Sequence, residues 1–195
     1  VRLARDPVLV GYSAVAGFCM GAMFCFVAGS PIVMSEVFEV SPDQFGWMLA
    51  VNGLAFMSAS RLNVWSLSRH TPAEVLRSSI AGPVVTGAIF VALALLLPLP
   101  IWAVIVLQLL FFLSTARIMP HTSALALAAH GREAGAASAL MGALQSLVAT
   151  FAGVAVAIFN DGTLGTLASL MLGSATCGLA CYAWVRGVER RRAGA

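Results

Sequence analysis

The sequence predicts an all-α integral membrane protein, a single bundle of six transmembrane helices spanning 1–195. Two independent observations lead there. Of the 195 residues, 60% are apolar and only 10% charged, whereas a soluble domain carries about 25% charged residues. So few charges cannot coat a water-soluble globule of this length. The second observation is the placing of those charges, which alternates along the chain. Six apolar stretches also approach the length of about 20 residues that a helix needs to cross hydrocarbon.

The first span covers about 8–29 and starts behind Pro7. The second covers 44–62, with Ser41-Pro42-Asp43 as its start signal. The third covers 78–97. Pro98-Leu99-Pro100 then makes a very short turn into the fourth, 101–129. Two prolines so close cannot lie inside one helix, and the summed length is far too great for one crossing. The fifth span covers 134–159, and Asn160-Asp161-Gly162 turns the chain into the sixth, 164–186.

All eleven basic residues are Arg. Arg2 and Arg5 precede the first span. Glu36, Glu39 and Asp43 fill the next loop with no base. Arg69 and Arg77 follow the second span, with Arg61 at its end. The loop between the third and fourth spans is uncharged, Arg132 follows the fourth, and only Asp161 follows the fifth. The tail holds Arg186, Arg190, Arg191 and Arg192. Ten of the eleven Arg therefore fall on one side. The positive-inside rule makes that side cytoplasmic, with both termini on it, as an even number of crossings requires. The compartment expected is a bacterial inner membrane.

No cleavable signal peptide is visible, since the N-terminal residues are polar and the run behind them is as long as a true span. Cys19, Cys25, Cys177 and Cys181 all lie in apolar runs. No His or acid stands beside them at ligand spacing, so they read as packing residues, and no metal is expected. Nothing points to another cofactor or to nucleic acid.

The fourth span carries the stretch that an apolar helix does not explain. Arg117, Pro120 and His121 lie within five positions. Arg at bilayer depth costs about 2.5–3.5 kcal/mol on insertion scales. Arg117 lies about 24 Å along the helix from Ile101. It is placed either to snorkel to the cytoplasmic interface or to line a wet cleft. Pro120 frees a backbone carbonyl, which protein or a water-filled cavity must satisfy. Asn52, Gln108 and Gln145 are embedded amides, expected to bond between helices or to touch a ligand. Met20, Met23 and Phe24 on the first span offer a soft apolar surface. Gly17 and Gly21 on that span, and Gly135, Ala139, Gly142 and Gly153 on the fifth, suit close helix packing, expected mainly within the chain. No carboxylate is embedded.

Three stretches carry a family resemblance in sequence order. They are AGSPIVMSEVFEVSPDQFGWMLAVNGLAFMSASRLNVWSLSRHTPAEVLR, then MPHTSALAL, then REAGAASALMGALQ. The chain resembles the C-terminal half of Bcr/CflA-type multidrug efflux transporters, of the major facilitator superfamily. The resemblance implies one six-helix half of a twelve-span fold. Its first and fourth spans would be central and cavity-lining, its second and fifth would meet the other half, and its third and sixth would face lipid. It also implies proton-coupled drug antiport. Met20, Met23, Phe24, Asn52, Gln108, Arg117, His121 and Gln145 become candidates to line the substrate cavity. Ser30, Pro31, Pro120, Gly135 and Gly142 become candidates for structural or gating roles. Gly29-Ser30-Pro31 matches the family's break at the outer end of its seventh helix. Three positions depart from the family pattern: His121 where Asn is usual, Arg117 near a usual small residue, and Arg61 where Gln is common.

The expected partners are lipid, lipophilic small molecules, and a complementary N-terminal half or a second copy. The chain reads as incomplete on its own: a fragment, a truncated product or half of an assembly. The competing reading is a non-transporting six-helix subunit or an inactive remnant. An intramembrane hydrolase built on His121 with Ser30 or Ser123 fails on placement. Ser30 sits at the opposite membrane face, and Ser123 points about 200° around the same helix.

Overall fold

The computed structural model describes residues 3–193, without the side chains of Pro42, Arg132 and Ala193. Arg2, counted above among the N-terminal charges, lies outside them. The described residues form eight α-helices and no strand: α1 Pro7–Phe38, α2 Pro42–Leu67, α3 Pro72–Ser79, α4 Gly82–Leu96, α5 Ile101–Ala116, α6 Met119–Leu127, α7 Ala134–Phe159 and α8 Leu164–Ala193.

Local chemistry sets the helix starts. Asp6 caps α1 by accepting from the Val8 N–H at 3.3 Å, with Pro7 in the first turn. Ser41 and Gln44 form a reciprocal capping box at α2, and Thr71 and Glu74 form another at α3. Each of these helices has a proline in its first turn, where a missing N–H costs nothing.

Two expected spans are each built from two helices. The third is α3 and α4, the fourth α5 and α6. A proline ring collides with the carbonyl four residues before it. Four residues before Pro83 is Ser79, where α3 ends. Four residues before Pro120 is Ala116, where α5 ends. The third span also starts earlier than expected, because the helix begins at Pro72 behind its capping box.

Pro31 behaves differently. The break expected at Gly29-Ser30-Pro31 is absent, and α1 runs on to Phe38 with Pro31 inside it. Gly29 and Ser30 before the ring are buried, and so are Val33 and Met34 after it. Tertiary packing on both sides carries the helix across the missing hydrogen bond. Glu36, expected in a loop, therefore stands in the last turns of α1. The helix ends at Glu39, which adopts the left-handed conformation (φ 54°) and donates its N–H to the Met34 carbonyl.

Five helical stretches are long and apolar enough to cross a membrane: Pro7–Phe38, Pro72–Leu96, Ile101–Leu127, Ala134–Phe159 and Leu164–Arg192. The second span, expected with the other five, is a 26-residue helix of comparable length that falls short in apolarity. Asn52, Arg61 and Asn63 dilute it.

α1 is the centre of the bundle. In its most apolar window 67% of the residues are buried, against 11% in α7. It packs along α7 and α8 and also touches α5 and α6. α4 lies against α8 and α5, and α2 against α5. α2 and α7 thus form opposite flanks, and α1 with α5–α6 lies between them. Gly21 permits a close approach of α1 to α7 and α8, since a Cβ there would stand 3.0 Å from Ala152 Cβ and 3.2 Å from Ser174 Oγ. Ser174 donates to the Phe18 carbonyl at 2.8 Å across the same contact. One core cluster gathers Phe26, Phe90, Phe111, Phe112 and Met171, and a second gathers Leu9, Tyr12, Leu76, Ile118 and Val185.

The two ends of the chain meet. Arg192 Nη2 lies 3.1 Å from Asp6 Oδ1, and His130 Nε2 lies 3.3 Å from Asp6 Oδ2. Glu36 lies at the other end of α1, beside the Gly162 turn. The outer surface is apolar, with Trp47, Leu54, Val64, Leu96, Trp102, Phe151 and Ile158 among its exposed residues. That is the surface of a multi-pass membrane protein, whose solvent is lipid.

Candidate functional site

The expected site residues fall into two groups, on opposite sides of the bundle centre. The first group is a polar seam between α2 and α5–α6. Gln108 Nε2 donates to Asn52 Oδ1 at 2.6 Å, both residues buried. In the first turn after the α5–α6 break, His121 Nε2 faces Asn63 Oδ1 at 3.2 Å. Arg117 Nη2 donates to Ser66 Oγ at 3.3 Å. These three rungs tie the polar helix α2 to the broken helix. In hydrocarbon each group must find a partner within the protein. The rungs are not fully saturated, since Asn52 Nδ2 and Arg117 Nε are buried without a protein partner. Such atoms accept a ligand or water more readily than saturated ones.

Asn63 and Ser66 were not singled out in the sequence, yet they complete two of the rungs. A signal was there. Asn52, Ala55, Ala59, Asn63 and Ser66 follow the three-and-four spacing of one helix face, and all five are buried. The polar and small residues of α2 share a stripe.

The second group lies between α1 and α7. Met20 and Phe24 form one wall of a groove of about 590 Å³, and Ser146, Ala149, Thr150 and Gly153 form the other. Phe24 is 48% exposed, projecting from the otherwise buried α1. Gln145 is buried against α1, where a Cβ at Gly17 would stand 3.3 Å from its Cα. Met23 packs on the core cluster around Phe26.

The remaining candidates are placed as follows. Ser30 is fully buried and its Oγ has no partner. Pro31 and Pro120 are exposed. The close packing expected within the chain holds for Gly17 and Gly21, which meet Val148 and Ala152 of α7. It does not hold for Gly135, Gly142 and Gly153, which have no neighbour within 4 Å of an added Cβ. α1 packs on Gln145, Val148 and Ala152 instead, while Gly153 lines the open groove beside that contact. Ser123 donates to the Met119 carbonyl at 3.0 Å rather than to His121, so the structure forms no serine–histidine pair there.

Known proteins place this arrangement. Over 195 residues, 98% of the chain, it is 27% identical to an uncharacterized MFS-type transporter, YdgK, of Bacillus subtilis, and covers 46% of that protein. Over 155 residues, 80% of the chain, it is 28% identical to a bicyclomycin resistance protein homolog of Haemophilus influenzae, and covers 39% of it. The chain thus spans less than half the length of these curated relatives. No family model matches it, and no solved structure does. A match along the whole chain to part of longer transporters fits a six-helix bundle with two unpartnered flanks. The chain is similar over most of its length to MFS-type transporters, a bicyclomycin resistance protein homolog among them.

Proposed function

We propose that this chain acts as one half of a drug-efflux transporter, working by proton-coupled antiport in a bacterial inner membrane with both chain ends in the cytoplasm. One observation carries the reading. The flank α7 and the Met20–Phe24 groove share an apolar, small-residue surface that this chain leaves uncovered, and the relatives are more than twice as long. A second six-helix body, either a complementary N-terminal half or a second copy, would close that surface into a central cavity. Met20, Phe24 and Gln145 would then line one wall for lipophilic molecules. Asn52, Gln108 and His121 would hold the opposite wall in register. Gly135 and Gly142 would let the partner's helices approach closely. The bicyclomycin-resistance name of one relative supports drug export as the activity. Halves of this superfamily pair in parallel, which a single fixed orientation per chain permits.

The test is export of a lipophilic cationic dye from cells expressing the chain, with and without a complementary half. Export is expected only with pairing, and it should fall when the proton gradient is collapsed. Export by a chain of proven monomer mass would refute the need for a partner. No export in any pairing, with no saturable dye binding in detergent, would favour the inactive-remnant reading.

A further inference from the structure

Among the described residues Arg117 has no counter-charge. None of the described carboxylates lies within 4.0 Å of its guanidinium, whose nearest partner is the Ser66 hydroxyl. Its Nε is buried and unpaired. The side chain faces a crevice of about 460 Å³, lined also by Trp65, Ser66, His70, Glu74 and Ser78. An uncompensated guanidinium at the edge of hydrocarbon calls for an anion from outside the chain.

The level of the crevice says what that anion is. Ser66 lies about 36 Å down α2 from Pro42, beyond the roughly 30 Å hydrocarbon core. Trp65 is 60% exposed beside it, and the Arg69 guanidinium lies 5.1 Å over its ring. Exposed Trp and Arg together mark the headgroup layer. The wall is not purely basic. Glu74 lines the same crevice, 4.0 Å from His70 Nδ1, and accepts from the Thr71 N–H at 2.8 Å. A purely anionic ligand would meet that carboxylate unfavourably. A zwitterion with phosphate and amine a few bonds apart would meet both charges.

We propose that this crevice binds the headgroup of an aminophospholipid from the leaflet on the side of the chain's two ends. The phosphodiester sits on the Arg117 fork and Ser66, and the ammonium on Glu74. A guanidinium presents Nε and Nη in a planar fork that fits two phosphate oxygens. The proposal does not depend on what the protein transports.

The test is native mass spectrometry of the protein purified in detergent, titrated with phosphatidylethanolamine, phosphatidylglycerol and free phosphoethanolamine. Arg117→Gln is expected to weaken phosphatidylethanolamine binding about tenfold, the worth of one charge-assisted contact. Glu74→Gln should keep lipid binding but abolish the preference for the amine headgroup over glycerol. Arg61→Gln, outside the crevice, should change nothing. The proposal is overturned by unchanged binding in Arg117→Gln, by an equal loss in Arg61→Gln, or by free phosphoethanolamine binding as tightly as the lipid. Should Arg117→Gln not purify as a monodisperse species, Glu74→Gln decides alone, and an unaltered headgroup preference there sinks it.

Discussion

At the scale of single residues, two turns hold their conformation by different means. Glu39 ends α1 with φ 54°, a conformation that costs a residue bearing a Cβ about 1–2 kcal/mol. Glu39→Gly should therefore raise stability by about 1 kcal/mol, measured as a higher unfolding midpoint in detergent. At the other turn, Asp161 accepts from the Thr163 hydroxyl at 2.7 Å, the Thr163 N–H at 3.0 Å and the Thr166 hydroxyl at 3.0 Å. The Thr163 side chain first, then its N–H and the Thr166 hydroxyl, hold the carboxyl below its ordinary range. A lowered folded-state pKa contributes stability above the ordinary carboxylate range and loses it as pH falls through the lowered value. The protection of the Thr163 and Thr166 amides, measured against their intrinsic exchange rates, should fall in that acid window. Asp161→Asn should remove most of the pH dependence.

At the scale of elements, the two prolines that break helices and the one that does not differ in what surrounds them. Pro83 and Pro120 each follow a helix that already ends four residues earlier. Pro31 sits between two buried turns of the central helix. These outcomes were not legible locally, since the ring makes the same demand at all three positions. The seam between α2 and α5 was half legible. Asn52 and Gln108 announce themselves as amides in apolar runs, but which amide meets which depends on the packing of α2 on α5. Asn52→Leu and Gln108→Leu should each cost about 1 kcal/mol by leaving a buried partner unpaired. The double variant should cost less than the sum of the two. Additive losses in a double-mutant cycle would show that the 2.6 Å contact carries no coupling.

At the scale of the whole molecule, the bundle is closely packed on one side and open on the other. Gly21→Val should destabilise the chain by about 1–3 kcal/mol, because Ala152 and Ser174 already stand against that position. Gly142→Val should leave the unfolding midpoint unchanged, since nothing lies within 4 Å of an added Cβ. It should instead reduce co-purification with a complementary half, which makes the pair of variants a test of the open flank. Cysteine labelling at positions 36 and 191 from either side of the membrane should find them on opposite faces.

The sequence by itself determined the helical class and the lipid solvent of this protein, and led to the expectation of six crossings with both ends on one side. Those follow from where apolar runs and guanidinium groups fall, and the cost of burying charge in hydrocarbon acts on each segment separately. Only the tertiary structure decided that α1 passes through Pro31, that α2 binds the broken helix through Asn63 and Ser66, and that the small face of α7 stays unpartnered. Each depends on which helix stands beside which. In lipid that choice rests on close packing and paired polar groups between segments far apart in the chain, and a local reading does not see it.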